Sequence, residues 1–216
     1  MDTLLERLQA VDTTTLSDVG KHLRVMDGGL RPLRIGLKLV GRAVTVAAKD
    51  DLMPVLDGLA RAGAGDVLVV DGGGTQLALA GELFGSEAAR RGLAGIVIDG
   101  ACRDSNRLRE LPMPFYARGL SPRAAGAKAV PGEPGTVRCG GVDVAPGDLL
   151  VGDDDGIVVG SPDELSAVLD AADALQATEA SMLAMIQSGD SLFSRLDYEE
   201  HLARLRAGED SSLSFL

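Results

Sequence analysis

Short apolar runs fenced by turn residues alternate along this chain with stretches of helical spacing. The run 67–70 is β-branched and closed by Asp71 and the triple Gly72, Gly73, Gly74, so it reads as a buried strand. From Glu82 to Arg91 the apolar period becomes helical, and Gly92 stands where a C-terminal cap belongs. A second apolar run, 95–98, ends in Asp99 and Gly100, with Arg103 and Asp104 just beyond it. This strand–helix–strand unit puts charged residues where strand meets loop, the usual ligand position in parallel α/β units.

The pattern extends to both sides. Residues 3–11 place Leu4, Leu5, Leu8 and Val11 on one helical face, and a second helix is expected from 16 to about 23 after Asp12. A Gly/Pro-rich loop at 26–33 precedes 37–48, read as a strand pair or one bent strand with a bulge at Gly41. Residues 51–62 carry helical spacing, 105–111 one or two helical turns, and 114–117 a short strand. The segment 136–159 reads as β with turns at Gly140, Gly147 and Asp154. A long helix from 162 to about 189 and a short one within 190–206 close the chain. The expected class is α/β: one domain with a core of about 15–160 and helices at both ends.

Three features of the central unit can carry chemistry. Gly81 and Glu82 open a helix, where unpaired N–H groups and the dipole favour an anion. Arg103 offers a planar fork for a carboxylate, and Asp104 a hard oxygen for a divalent cation. Together they describe a site for a small, metal-bound carboxylic acid. Glu in a first turn is also ordinary dipole matching, and Arg-Asp after a strand also makes surface turns; spacing alone leaves both readings standing.

The composition narrows the classes. The net charge of −11 and the absence of a basic run argue against nucleic acid as a direct partner, and so does the lack of Trp. No apolar run reaches membrane-spanning length, and the acidic N-terminus is unlike a secretory signal; a soluble, cytoplasmic protein is expected. Cys102 and Cys139 make no disulfide framework, and Cys102 beside Arg103 is either a small buried hydrophobe or an activated thiol. The acids 153–155 read as a hairpin turn rather than a calcium loop. The glycine triple lacks dinucleotide spacing. His22 and His201 lie in terminal segments, which disfavours a histidine-dependent nucleophile. Lys38 is the one lysine in a plausible strand for imine chemistry.

The segments 40–46, 65–74, 81–82, 91–104, 114–123 and 141–159, with Gly189, Asp190, Ser191 and Leu192 in the tail, carry a family resemblance. Over nearly its whole length the chain resembles the RraA-like proteins, which include class II 4-hydroxy-4-methyl-2-oxoglutarate aldolases and regulators of ribonuclease E activity. The resemblance implies a swivelling β/β/α domain assembled as a homotrimer or a dimer of trimers, with sites between subunits. It implies Mg²⁺ or Mn²⁺ on Asp104, largely through water, and a small 2-oxo acid held by Arg103. It implies Glu82 as the acid that activates a water, and the amides of Leu83, Phe84 and Gly85 as a carboxylate cradle. Glu179 resembles an acid contributed from a neighbouring subunit to the metal's surroundings. The known aldolases carry Asp where this chain has Glu82, one methylene longer. The activity implied is retro-aldol cleavage of 4-hydroxy-2-oxo acids to pyruvate, with oxaloacetate decarboxylation through the same enolate. The alternative is a non-catalytic regulator that binds a ribonuclease.

Overall fold

The computed structural model describes residues 3–214. In chain order the elements are α1 (Thr3–Gln9), α2 (Thr13–Val19), β1 (Arg24–Val25), β2 (Arg31–Pro32), β3 (Leu39–Ala47), α3 (Met53–Arg61), β4 (Asp66–Ala80), α4 (Glu82–Arg91), β5 (Gly95–Cys102), α5 (Ser105–Leu108), β6 (Phe115–Leu120), β7 (Val137–Cys139), β8 (Val142–Val144), β9 (Leu149–Gly152), β10 (Ile157–Gly160), α6 (Pro162–Gln187) and α7 (Tyr198–Arg206). They form two compact units, one ending at Ala172 and one beginning at Asp173. The helix α6 starts in the first and continues in the second.

In the first unit an eight-stranded sheet runs in the order β1-β10-β9-β3-β4-β5-β6-β2. Its centre, β3 to β6, is parallel, and both flanks are antiparallel. Because alternate residues face opposite sides, Leu68, Val70, Ile96 and Ile98 pack under α3 and α4, while Val67, Val69 and Val97 pack with the β7–β8 hairpin. Every residue of β5 is buried, as a parallel strand covered on both faces requires. A third apolar cluster joins α1, α2 and the start of α6 to β9 and β10.

Several boundaries differ from the sequence reading. The glycine triple does not end β4: the strand bulges at Gly73 and Gly74, both at positive φ, then pairs again from Thr75 to Ala80 against Gly100 to Cys102. Gly41 is not a bulge either. It pairs in register with Leu150, and a β-carbon there would stand 2.4 Å from the Gly65 carbonyl. The second helix ends at Gly20, which frees Arg24 and Val25 to pair with β10, and Arg31–Pro32 extends the opposite edge within the expected loop. The acids 153–155 do form the β9–β10 turn, with Asp153 N–H donating to Gly156 O.

That turn also anchors the N-terminus. The Asp153 carboxylate accepts from Thr13 N–H at 2.9 Å and Thr13 Oγ1 at 2.6 Å, and Lys38 Nζ lies 3.4 Å away. Lys38 also donates to Val11 O, so its ammonium is engaged rather than poised for imine formation. Burial pushes the Asp153 carboxyl up, but Thr13, Lys38 and the Asp155 N–H outweigh it and hold it below the ordinary value. A depressed carboxyl stabilises the fold above its unfolded pKa and loses that contribution as pH falls through the folded one. Asp153→Ala is therefore expected to cost about 2 kcal/mol at pH 7. In denaturant titrations the gap between wild type and variant should narrow as pH falls below the ordinary carboxyl range; a gap that stays constant on acidification would contradict the assignment.

Candidate active site

The site is built where β4 and β5 end side by side. Ala80 and Cys102 pair across the two strands, so Gly81 and Arg103 leave the sheet together, and Arg103 N–H donates to Ala80 O at 3.0 Å. Gly81 caps α4 in extended backbone. Its missing side chain is a matter of space: a β-carbon would lie 2.4 Å from Asp104 Oδ2 and 2.8 Å from Arg103 Cγ.

Asp104 is one of two described non-glycine residues at positive φ (56°). Aspartate tolerates this left-handed conformation better than most residues. It stands at the N-cap of α5 yet does not cap that helix with its side chain. The carboxylate turns instead toward the neighbouring helix, where Oδ2 accepts from Glu82 N–H at 3.1 Å and lies 3.5 Å from Arg103 Nε. A strained backbone thus aims the carboxylate at the start of α4. Asp104 and Arg103 remain two-fifths or more exposed, ready to meet a ligand.

Glu82 projects to solvent with Oε1 3.9 Å from Arg107 Nε, and Arg107 also pairs with Glu110 at 3.2 Å. The sequence reading missed Arg107. Its signal was its spacing: one helical turn after Asp104, on the same face. Of the proposed amide cradle, Gly85 N–H closes the first helical bond to Gly81 O at 3.0 Å and so is not available. The N–H groups of Leu83 and Phe84 have no acceptor among the described residues, as expected at a helix start. Gly85 has a packing role, since a β-carbon there would meet Leu108 and Leu111 at 2.7 Å. Glu179 lies exposed on α6 in the second unit.

A cleft of about 140 Å³ opens in front of this corner. Among the described residues its charged lining side chains are Arg103 and Asp104; the other lining side chains are apolar and come from the start of α3, the end of β4, the first turn of α4 and Ala124. Among the described residues no three carboxylate, imidazole or thiol groups converge. One exposed carboxylate facing a cleft suits a magnesium-type ion, which takes one or two protein carboxylates and completes its shell with water and ligand oxygens. It does not suit zinc, which needs three or four protein ligands. The donor set therefore fits Mg²⁺ or Mn²⁺ held by Asp104.

The cysteines take no part. Cys102 is fully buried, and burial pushes its thiol up to about 11 although Arg109 pulls the other way; Arg103 does not activate it. Burial likewise raises Cys139. A second polar network, outside the cleft lining, ties Arg118 to Asp99 and to both oxygens of Asp27 at 2.8 and 2.7 Å, while Asp99 accepts from Gly140 N–H at 2.7 Å. It fixes the β7–β8 hairpin to the sheet.

Comparison with known proteins shows the family. Residues 9–159 match the family model RraA-like, described as Aldolase/RraA; the match includes positions 81–85, 103 and 104 and ends before 179. A protein of Halalkalibacterium halodurans, named provisionally as a 4-hydroxy-4-methyl-2-oxoglutarate aldolase, is 35% identical over 157 residues, covering 72% of this chain and 75% of its own. The solved structure of Streptomyces coelicolor RraAS2, described as an unusual member of the RNase ES inhibitor RraA protein family, aligns with a TM-score of 0.74 at 33% identity, covering 85% of this chain and 98% of that one. The RNA-processing inhibitor RraA of Thermus thermophilus aligns with a TM-score of 0.65 at 32% identity, covering 70% and 92%. No helix among the described residues is long and apolar enough to cross a membrane.

Proposed function

The chain belongs to the RraA-like family, and from that premise we propose that it is a divalent-metal-dependent carbon–carbon lyase. Its reaction is retro-aldol cleavage of a 4-hydroxy-2-oxo acid, of the kind named in its relatives, to pyruvate and a second carbonyl compound. Oxaloacetate decarboxylation follows by the same enolate. One observation carries the reading: Arg103, the strained Asp104 and the unpaired amides of Leu83 and Phe84 converge on one cleft mouth.

Asp104 would hold Mg²⁺ or Mn²⁺, and the bound ion would supply Lewis-acid polarisation of the 2-oxo group. The amides of Leu83 and Phe84, at the positive end of α4, receive the substrate carboxylate. The Arg103 guanidinium lies against the oxygen on which charge grows when the C3–C4 bond breaks. Glu82, through a water, takes the proton of the C4 hydroxyl and returns one to C3. Arg107, 3.9 Å from Glu82, orients that carboxylate. In a homotrimer or dimer of trimers, Glu179 of a neighbouring subunit would add an acid near the ion that Asp104 would hold.

The test is pyruvate release from oxaloacetate and from 4-hydroxy-4-methyl-2-oxoglutarate, each with Mg²⁺, with Mn²⁺ and with EDTA. Metal-dependent pyruvate from at least one is expected. None from either, with the oligomer intact, would contradict the lyase reading and leave the protein-binding function that the ribonuclease-inhibitor relatives exemplify.

A further inference from the structure

Part of the cleft wall is held by a strap of chain, residues 123–128, that follows β6 and crosses the end of β4 and the start of α3. Ala78 N–H donates to Arg123 O at 2.7 Å, and Ala125 N–H to Ala78 O at 3.0 Å. Gly126 N–H donates to Asp50 O at 2.9 Å, and Leu52 N–H donates back to Gly126 O at 2.7 Å. Leu52, Ala78 and Ala124, which line the cleft beside Arg103 and Asp104, therefore lie within one short ladder of backbone bonds.

Two aspartates close that ladder. Asp50 is the other described non-glycine residue at positive φ (53°), and its carboxylate accepts from Thr75 Oγ1 where β4 resumes after its bulge. Asp51 is shared between two segments. Its Oδ1 accepts from Met53 N–H at 2.9 Å, in a turn that opens α3, and its Oδ2 accepts from Lys128 N–H at 2.8 Å. The amides of Lys128 and Met53, joined by that of Ala129, hold the carboxyl below its ordinary value. Gly126 leaves just enough space for this contact, since a β-carbon there would stand 2.9 Å from Asp51 Oδ2. A strained residue beside a carboxylate that joins two segments is a closely specified corner, the kind of backbone that accompanies a functional site.

We propose that Asp51 is a positioning residue: by tying the strap to the start of α3, it sets Leu52 and Ala124 in place against the substrate that Arg103 and Asp104 hold. The identity of that substrate rests on the lyase reading. The tie itself rests on contacts within one chain, whatever a neighbouring subunit adds in front of the cleft. Asp51 meets no reacting atom, so its loss weakens binding of ground state and transition state alike, which raises KM and spares kcat.

Asp51→Asn separates the two halves of the tie. Asparagine keeps an oxygen for Met53 N–H, but its NH₂ cannot accept from Lys128, so α3 opens as before and the strap is released. Gly126→Ala releases the strap from the other side at constant charge. Asp57→Asn, which removes a carboxylate from the same helix where it pairs with Arg61 at 2.9 Å, is the control. KM and kcat are measured with Mg²⁺ on whichever of oxaloacetate and 4-hydroxy-4-methyl-2-oxoglutarate the wild type turns over, beside amide hydrogen exchange over 123–128 by mass spectrometry. Both strap variants are expected to raise KM about fivefold, the scale of one net hydrogen bond, with kcat within about twofold of wild type. Exchange over 123–128 should quicken in both, and Asp57→Asn should match wild type throughout. Unchanged exchange, or faster exchange at an unchanged KM, would overturn this inference and leave the lyase reading intact. A wild type that releases no pyruvate from either compound would overturn the lyase reading and, with it, the role of Asp51 toward this substrate.

Discussion

Asp104→Asn is expected to abolish metal-dependent pyruvate release while leaving the fold in place. Asparagine keeps the tolerance for φ near +56° and can still accept from Glu82 N–H, so the backbone at the start of α5 and the junction with α4 are preserved. What is lost is the anionic oxygen on which a hydrated divalent ion depends. A fall on the order of a thousandfold in kcat/KM corresponds to about 4 kcal/mol of transition-state stabilisation, the scale of a lost Lewis acid. The melting temperature should move by no more than about 4 °C, since one surface hydrogen bond is at stake in a chain of this length. Asp104→Ala adds backbone cost at a left-handed position and should be the less stable of the two. An Asn variant with wild-type turnover would remove Asp104 from the chemistry.

Gly81→Ala is the second large effect. The residue is in extended backbone, φ −158°, that alanine adopts freely, so the substitution tests space alone. Its β-carbon would enter the volume held by Asp104 Oδ2 and Arg103 Cγ. Both side chains are partly exposed and can swing outward, which relieves the clash at modest cost to stability but displaces the two charged groups of the cleft. A shift of about 1 Å in such groups costs on the order of a hundredfold in rate. Steady-state kinetics beside thermal melts should show a large loss in kcat/KM with a small change in melting temperature. Gly156→Ala, where a β-carbon meets nothing within 4 Å, is the matched control. Equal activity in the two variants would mean that the corner at Gly81 does not position the chemistry.

That Gly81, Glu82, Arg103 and Asp104 come together was legible in the sequence because they sit at chain positions that local rules identify. A helix start after a β-branched run and a charged pair after a second run are brought together by any right-handed parallel crossover. The strands 67–70, 95–98, 149–152 and 157–160 were legible for the same reason: a fully buried strand is a short continuous apolar run. The continuation of β4 through Gly72 to Ala80 was not, because glycine signals a turn and a bulge alike, and only pairing with β5 distinguishes them. The two-residue edges β1 and β2 carry too few positions for any period. The apolar wall from Leu52, Leu56 and Ala124 was invisible for a different reason. In sequence those residues look like the buried faces of their own elements, and only the crossing of α3, β4 and α4 turns them toward Arg103. The Gly85 amide, which the family resemblance puts in the carboxylate cradle, closes the first turn of α4 on Gly81 O, a bond that a resemblance does not reveal. Asp99 and Arg118 lie in segments the sequence reading singled out, but their pairing with each other and with Asp27 depends on strand neighbours that spacing does not reveal.

The central claim is that Arg103 and Asp104 stabilise a pyruvate enolate, and it can be tested without knowing the natural substrate. Pyruvate in D₂O with the protein and Mg²⁺, followed by proton NMR, reports enolate formation as exchange of the methyl hydrogens. Loss of the methyl signal well above the protein-free rate, stopped by EDTA and by Asp104→Asn, is the expected result. Exchange no faster than in the protein-free control, with the oligomer intact and Mg²⁺ present, would contradict the claim.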